Sequence, residues 1–147
     1  MHLADLLKTL LASQFAYYLK ATFFHWNCEG SDFYQLHKFF QKIYEDAYSA
    51  VDTIAEEIRT LDEYAPGSFE RFAELSQIPG QTKVPRARLM IEELLADSQT
   101  LIDLLNQVFA AATQENKQDI ANFMAERLTA QNKYMWQLKS FLKDQRA

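Results

Sequence analysis

A chain of 147 residues, 48% hydrophobic and with only three glycines and three prolines, suits one compact domain with a helical core. Its formal charge of −5 sets the bulk surface against a phosphate backbone, so nucleic-acid binding needs a local basic patch. No apolar run approaches the roughly 18 residues of a membrane span, the start MHLADLLKTLLASQF lacks the marks of a secretory leader, and the single Cys28 makes no internal disulfide, which together point to the cytoplasm.

All Gly and Pro residues fall at three places, Gly30, the pair Pro66 and Gly67, and the run from Pro79 through Gly80 to Pro85, and these breakers divide the chain. Before the first break, Leu3, Leu6, Leu7, Leu10, Leu11, Phe15 and Tyr18 recur at the amphipathic period, which predicts a helix over residues 3–29. Gly30 can then take the left-handed C-terminal position while Ser31 or Asp32 caps the next helix, giving a tight antiparallel hairpin. That second helix runs to about residue 62. PGSFERFAEL reads as a short helix capped by Ser68, IPGQTKVP as a loop, and a third long helix follows over about 86–112. TQENKQ is a polar corner before the last helix, about 116–143, which carries Ile120, Phe123, Met124, Leu128, Met135, Leu138, Phe141 and Leu142. The expectation is an all-α fold: one domain over residues 1–147, a four-helix bundle with a short extra helix in its long central connection.

The second helix is the most informative. At about 100° per residue, Phe33, Leu36, Phe40, Ile43, Ala47, Val51, Ile54, Ile58 and Leu61 share one arc, the expected core face. His37, Gln41, Glu45, Asp52 and Glu56 form a polar stripe on a neighbouring arc. Most charged helix faces are simply solvated, but axial distance adds a second reading. His25 and His37 flank Gly30, so an antiparallel hairpin carries both imidazoles at similar height, roughly 8 to 10 Å from the turn. Asp52 and Glu56 sit roughly 22 to 29 Å further along, out of reach of that pair within one chain. Two such helices crossing antiparallel at their midpoints, near Glu45 and Asp46, bring His37 of each beside Asp52 and Glu56 of the other, which is the symmetry of an isologous dimer. Two imidazoles and two carboxylates suit Fe(II) or Zn(II) far better than calcium. The Glu-x-x-His pairs of a di-iron site inside one bundle are missing from the sequence: at that spacing His25 follows Thr22 and His37 follows Tyr34.

HWNCEGSDFYQLHKFF resembles the His-Trp-Asn-x-x-Gly-x-x-Phe-x-x-Leu-His motif of the Dps proteins (DNA-binding proteins from starved cells), or mini-ferritins. DTIAEEIRTLDEYAPGSF resembles that family's Asp-x-x-Ala-Glu-x-Ile-Arg segment and the short helix after it. The resemblance implies a ferritin-like four-helix bundle assembled as a hollow dodecamer. It implies a ferroxidase that oxidises Fe(II), preferably with hydrogen peroxide, stores the ferric product as mineral and so protects against oxidative damage. Carried over by position, His25 and His37 are catalytic metal ligands from one subunit, and Asp52 and Glu56 from its mate, with Glu56 approaching both metals. Trp26 matches the family tryptophan near the centre, or else serves as an interface anchor. The family usually has an acid where this chain has neutral Gln41, which weakens the second iron position; Glu45, one turn on, is a candidate to help through a water. Glu115, Asp119 and Glu126 match acidic residues lining threefold pores, although each also reads as solvated flank.

Cys28 reads as a packed thiol and His2 as a terminal residue. Dps proteins that bind DNA commonly use Lys- or Arg-rich tails, and here KSFLKDQRA offers only Lys139, Lys143 and Arg146, with Asp144 among them. DNA binding is therefore expected to be weak or absent. The alternative function is a DNA-compacting protein with little ferroxidase activity.

Overall fold

The computed structural model describes residues 2–143, as five helices: α1 Leu3–Asn27, α2 Phe33–Thr60, α3 Phe69–Leu75, α4 Ala87–Gln114 and α5 Gln118–Leu142. Asp144 and Arg146 of the terminal basic patch lie outside the described residues. α1 pairs with α2 and α4 with α5, while α1 packs on α4 and α2 meets α5, so the four long helices close into the expected bundle. Its centre is filled by Leu7, Leu10, Phe40, Ile43, Ile54, Met90, Leu94, Leu101, Met124 and Leu138, each 0% exposed. Burying side chains of this size contributes about 1.5 to 3 kcal/mol apiece.

The central connection runs alongside α1. The Gln77 N–H donates to Ser13 Oγ at 3.0 Å, the Phe72 ring lies 5.0 Å from that of Phe15, and the Gln81 amide donates to Glu93 at 2.8 Å. The chain is thus carried along the bundle before α4 begins, and α4 lies antiparallel to α1. Tyr17 meets Ser98, while Lys20, one turn later, meets Asp97 and Glu93 at 2.9 and 3.6 Å.

Helix ends follow local chemistry that the periodicity did not carry. α1 stops at Asn27, two residues short of expectation, because Cys28 adopts extended backbone (φ −70°, ψ 148°) and turns its thiol into the core. Gly30 does take a positive φ, +113°, but it turns the link rather than closing the helix. Asp32 occupies the N-cap of α2 without a side-chain cap bond, whereas Ser68 caps α3 as expected by accepting from the Arg71 N–H at 3.1 Å. The left-handed closing residues are Asp62 (φ 64°) and Asn116 (φ 60°). After each, two backbone N–H groups reach back to orphan carbonyls, Asp62 to Arg59 and Glu63 to Ile58, and Asn116 to Thr113 and Lys117 to Ala112.

The core arc of α2 is narrower than its angles suggest. Leu36, Phe40, Ile43, Ala47, Ile54 and Ile58 are buried, joined by Ala50; Val51 and Leu61 are half-buried, and Phe33 is 42% exposed because it starts α2 at the rim of the hairpin. Among the last helix's apolar positions, Phe141 is exposed and Phe123, Leu128, Met135 and Leu142 are half-buried.

A polar layer crosses the bundle. The Tyr17 and Ser98 hydroxyls share a 2.9 Å hydrogen bond and the Gln131 amide donates to Ser98 at 3.2 Å. Arg127 forks onto both oxygens of Asp46 at 3.0 and 2.8 Å, joining α5 to α2. Burial pushes the Tyr17 phenol up to about 12 and raises the Tyr134 phenol too, with Asp46 adding to the latter.

Candidate metal centre

His25 lies in the last turn of α1 and His37 in the second turn of α2, and the reversal at Gly30 brings them face to face. Their rings are 3.8 Å apart and within 14° of parallel. The bonding is reciprocal. His25 Nδ1–H donates to the His37 carbonyl at 2.6 Å, and His37 Nδ1–H donates to the His25 carbonyl at 2.8 Å. A carbonyl only accepts, so Nδ1 carries a proton in each ring, which leaves Nε2 as the nitrogen available to a ligand. The local cause is the early end of α1, which leaves the His25 carbonyl without a helical donor until His37 supplies one. Anchoring one imidazole nitrogen on a backbone carbonyl is how proteins orient metal-binding histidines.

The stack is bracketed by aromatic rings. Phe33 stacks on His37 at 5.0 Å and 24°, and Tyr44 meets His25 edgewise at 5.1 Å and 68°. His25 is 8% exposed and His37 is half-buried, so the pair sits at a surface rather than in the core.

Asp52 and Glu56 are exposed on α2, roughly 22 and 29 Å along the helix from His37. One chain therefore assembles the two imidazoles and carries the two acids elsewhere. Among the described residues, no group of three or more His, Cys, Asp and Glu is placed to hold a metal ion. Gln41 donates its amide to Glu45 Oε1 at 2.8 Å, so the two side chains act as a unit on the exposed stripe. Asp46 is committed to Arg127.

Trp26 is 66% exposed and, with Leu19, Phe23 and Gly80, borders a groove of about 350 Å³ on the outer side of α1. Cys28 is buried, as a packed thiol, and burial raises it. His2 is the exposed N-cap residue of α1. Glu115, Asp119 and Glu126 are all exposed, at the end of α4 and along α5. Burial, with the Asp119 charge adding to it, pushes the Glu57 carboxyl up to about 8, and one of its oxygens is buried without a partner. Glu57 went unnoticed in the sequence because nothing in α2 alone reveals that α5 approaches there.

Residues 4–147 match the ferritin-like domain family. Over 138 residues the chain is 30% identical to an uncharacterized protein of Haemophilus influenzae, covering 94% of this chain and 86% of that protein. It is 26% identical over 139 residues to the DNA protection during starvation protein of Helicobacter pylori, covering 94% and 96%. The crystal structure of the Dps protein from Vibrio cholerae O1, described as a member of a broad superfamily of ferritin-like diiron-carboxylate proteins, superposes with a TM-score of 0.92 at 28% identity, covering 96% of this chain and 89% of that one. The chain belongs to the ferritin-like family of four-helix bundles. Within it, bundle, motif and relatives together make it a Dps mini-ferritin.

Proposed function

We propose that this protein sequesters iron as a ferroxidase, oxidising Fe(II) at centres shared between two subunits and storing the ferric product in a hollow dodecamer, as a cytoplasmic defence against oxidative damage. In this reading His25 and His37 of one subunit and Asp52 and Glu56 of its mate would hold the iron, with Glu56, by the family resemblance, serving both cations. Two Fe(II) ions give one electron each to hydrogen peroxide, which with two protons leaves as two waters. Used this way, peroxide yields no free radical.

The observation that carries this reading is the reciprocal bonding of the histidine pair, which fixes both tautomers with Nε2 left for metal. Packing alone accounts for the Nδ1 bonds, since a buried N–H needs an acceptor; what it does not call for is that both Nε2 atoms are left without a protein partner among the described residues. The α2 stripe supports the intersubunit arrangement, because its acids are too far from the imidazoles to serve them within one chain. Some relatives are named for DNA protection, but the charge of −5 favours iron handling without a stable DNA complex.

The test is an anaerobic Fe(II) titration followed by peroxide. The expected result is saturable binding at the dimer centres and rapid oxidation that consumes one peroxide per two irons. Binding and rate unchanged in His25→Ala/His37→Ala would overturn the assignment.

A further inference from the structure

We infer that Phe33 and Tyr44 are positioning residues that hold the two imidazoles in their metal-binding arrangement, each ring governing one histidine. The inference rests on the metal-binding reading above and deepens it.

Phe33 belongs to the arc of α2 that should be core, yet it is 42% exposed and spends its contact on the His37 ring. Its place at the rim of the hairpin explains the exposure, and the contact it keeps there is with the His37 ring. Both Phe33 and His25 stack on His37, at 5.0 and 3.8 Å, and two rings cannot share one face, so His37 is sandwiched between them. Tyr44 closes the other end of the row against His25. The order is Phe33, His37, His25, Tyr44, drawn from both helices of the hairpin.

This row holds the rings against their carbonyl partners in the metal-free protein, and it matters more once the histidines carry metal. A cation on Nε2 draws electron density from its imidazole, and two such rings 3.8 Å apart repel. They relieve the strain by swinging apart, which breaks the Nδ1 bonds to the carbonyls. Phe33 blocks that swing for His37 and offers its negative face to the electron-poor ring, an attraction that grows when metal binds. Tyr44 blocks the swing for His25. Each aromatic touches a different histidine, so the two rings act through different ligands of the centre.

The experiment uses the assembled protein and anaerobic Co(II), followed by its visible absorption and by calorimetry, with nitrogen NMR of the imidazoles on metal-free protein. Phe33→Leu keeps apolar bulk and loses the ring; it should weaken Co(II) binding about tenfold. Tyr44→Leu should weaken it to a similar degree, through His25. Phe33→Tyr and Tyr44→Phe keep a ring and should restore wild-type affinity and spectrum. In metal-free Phe33→Leu, the His37 nitrogens should lose their single-tautomer pattern. Light scattering and thermal melting monitor assembly and folding, and Phe33 is exposed enough that its loss should leave the subunit folded. Leucine variants that bind Co(II) as wild type, or aromatic variants that fail to rescue, would overturn the inference. If the wild type takes up no Co(II), the metal-binding reading fails, and a tautomer pattern unchanged in Phe33→Leu then rejects the bracket independently.

Discussion

At the level of single residues, Gln41 stands where the resemblance to the Dps motif leads one to expect an acid. In the proposed centre Asp52 and Glu56 would offset two of the four positive charges of a ferrous pair, and adjacent cations repel strongly where water is scarce. Gln41 adds no charge, and its amide is occupied with Glu45. We therefore expect one iron position to bind well and its neighbour weakly. Gln41→Glu should tighten the weak equivalent roughly tenfold in anaerobic calorimetry and speed peroxide-driven oxidation, while Glu56→Gln impairs binding and oxidation together. Two equally tight equivalents in the wild type, untouched by Gln41→Glu, would show that this position does not limit the centre. Tyr17 makes a different residue-scale prediction. Its phenol is held up to about 12, against an unfolded value near 10, so the folded state keeps a proton that the unfolded state has lost between those values. Stability should be intact below about pH 10 and fall as pH rises toward about 12. Tyr17→Phe should lose about 1 kcal/mol at neutral pH with its Ser98 bond, and should flatten that alkaline decline in urea unfolding curves.

At the scale of helices, the long elements were legible because their apolar residues keep the 3.6 period. The expected spans end within a few residues of the observed ones. What was not legible depends on a facing helix. Asp62 and Asn116 close α2 and α4 in the left-handed region where a search for glycine finds nothing. Phe33 has the right angle for the core but lies past the edge of α1's cover. The shared height of His25 and His37 followed from counting outward from Gly30, whereas their reciprocal carbonyl bonds followed only from where α1 stops. The pairing of α1 with α4 shows the same dependence. Lys20, 4% exposed, is held by Asp97, whose carboxyl burial raises despite the ammonium beside it. Asp97→Asn should destabilise by about 2 to 3 kcal/mol, since Glu93 at 3.6 Å is a poorer partner for a buried cation. The double change Lys20→Met/Asp97→Leu should recover most of that loss, because it removes both charges together. A double variant no better than Asp97→Asn alone would show that the pair contributes net stability.

At the scale of the whole molecule, the twofold arrangement proposed for the centre leads to an assembly and to a ligand that should be refused. Light scattering should find a twelve-subunit particle, and a stable monomer at micromolar concentration would contradict both the assembly and the shared centre. A gel shift with duplex DNA should show no stable complex at physiological salt, given the charge of −5. A salt-resistant shift would instead favour the DNA-compacting alternative.

If the centre is shared as proposed, the distance along α2 between His37 and Asp52 predicts an unusual genetics. Consider one variant lacking the imidazoles, His25→Ala/His37→Ala, and another lacking the acids, Asp52→Asn/Glu56→Gln. Each is inactive alone. When the two are refolded together, every mixed dimer pairs good imidazoles with good acids at one centre and concentrates all four lesions at the other. Random mixing should therefore return about a quarter of wild-type ferroxidase sites from two dead parents. A centre contained within one chain returns none. Complementation between alleles of a single gene thus becomes a direct measure of which half of each site a subunit owns.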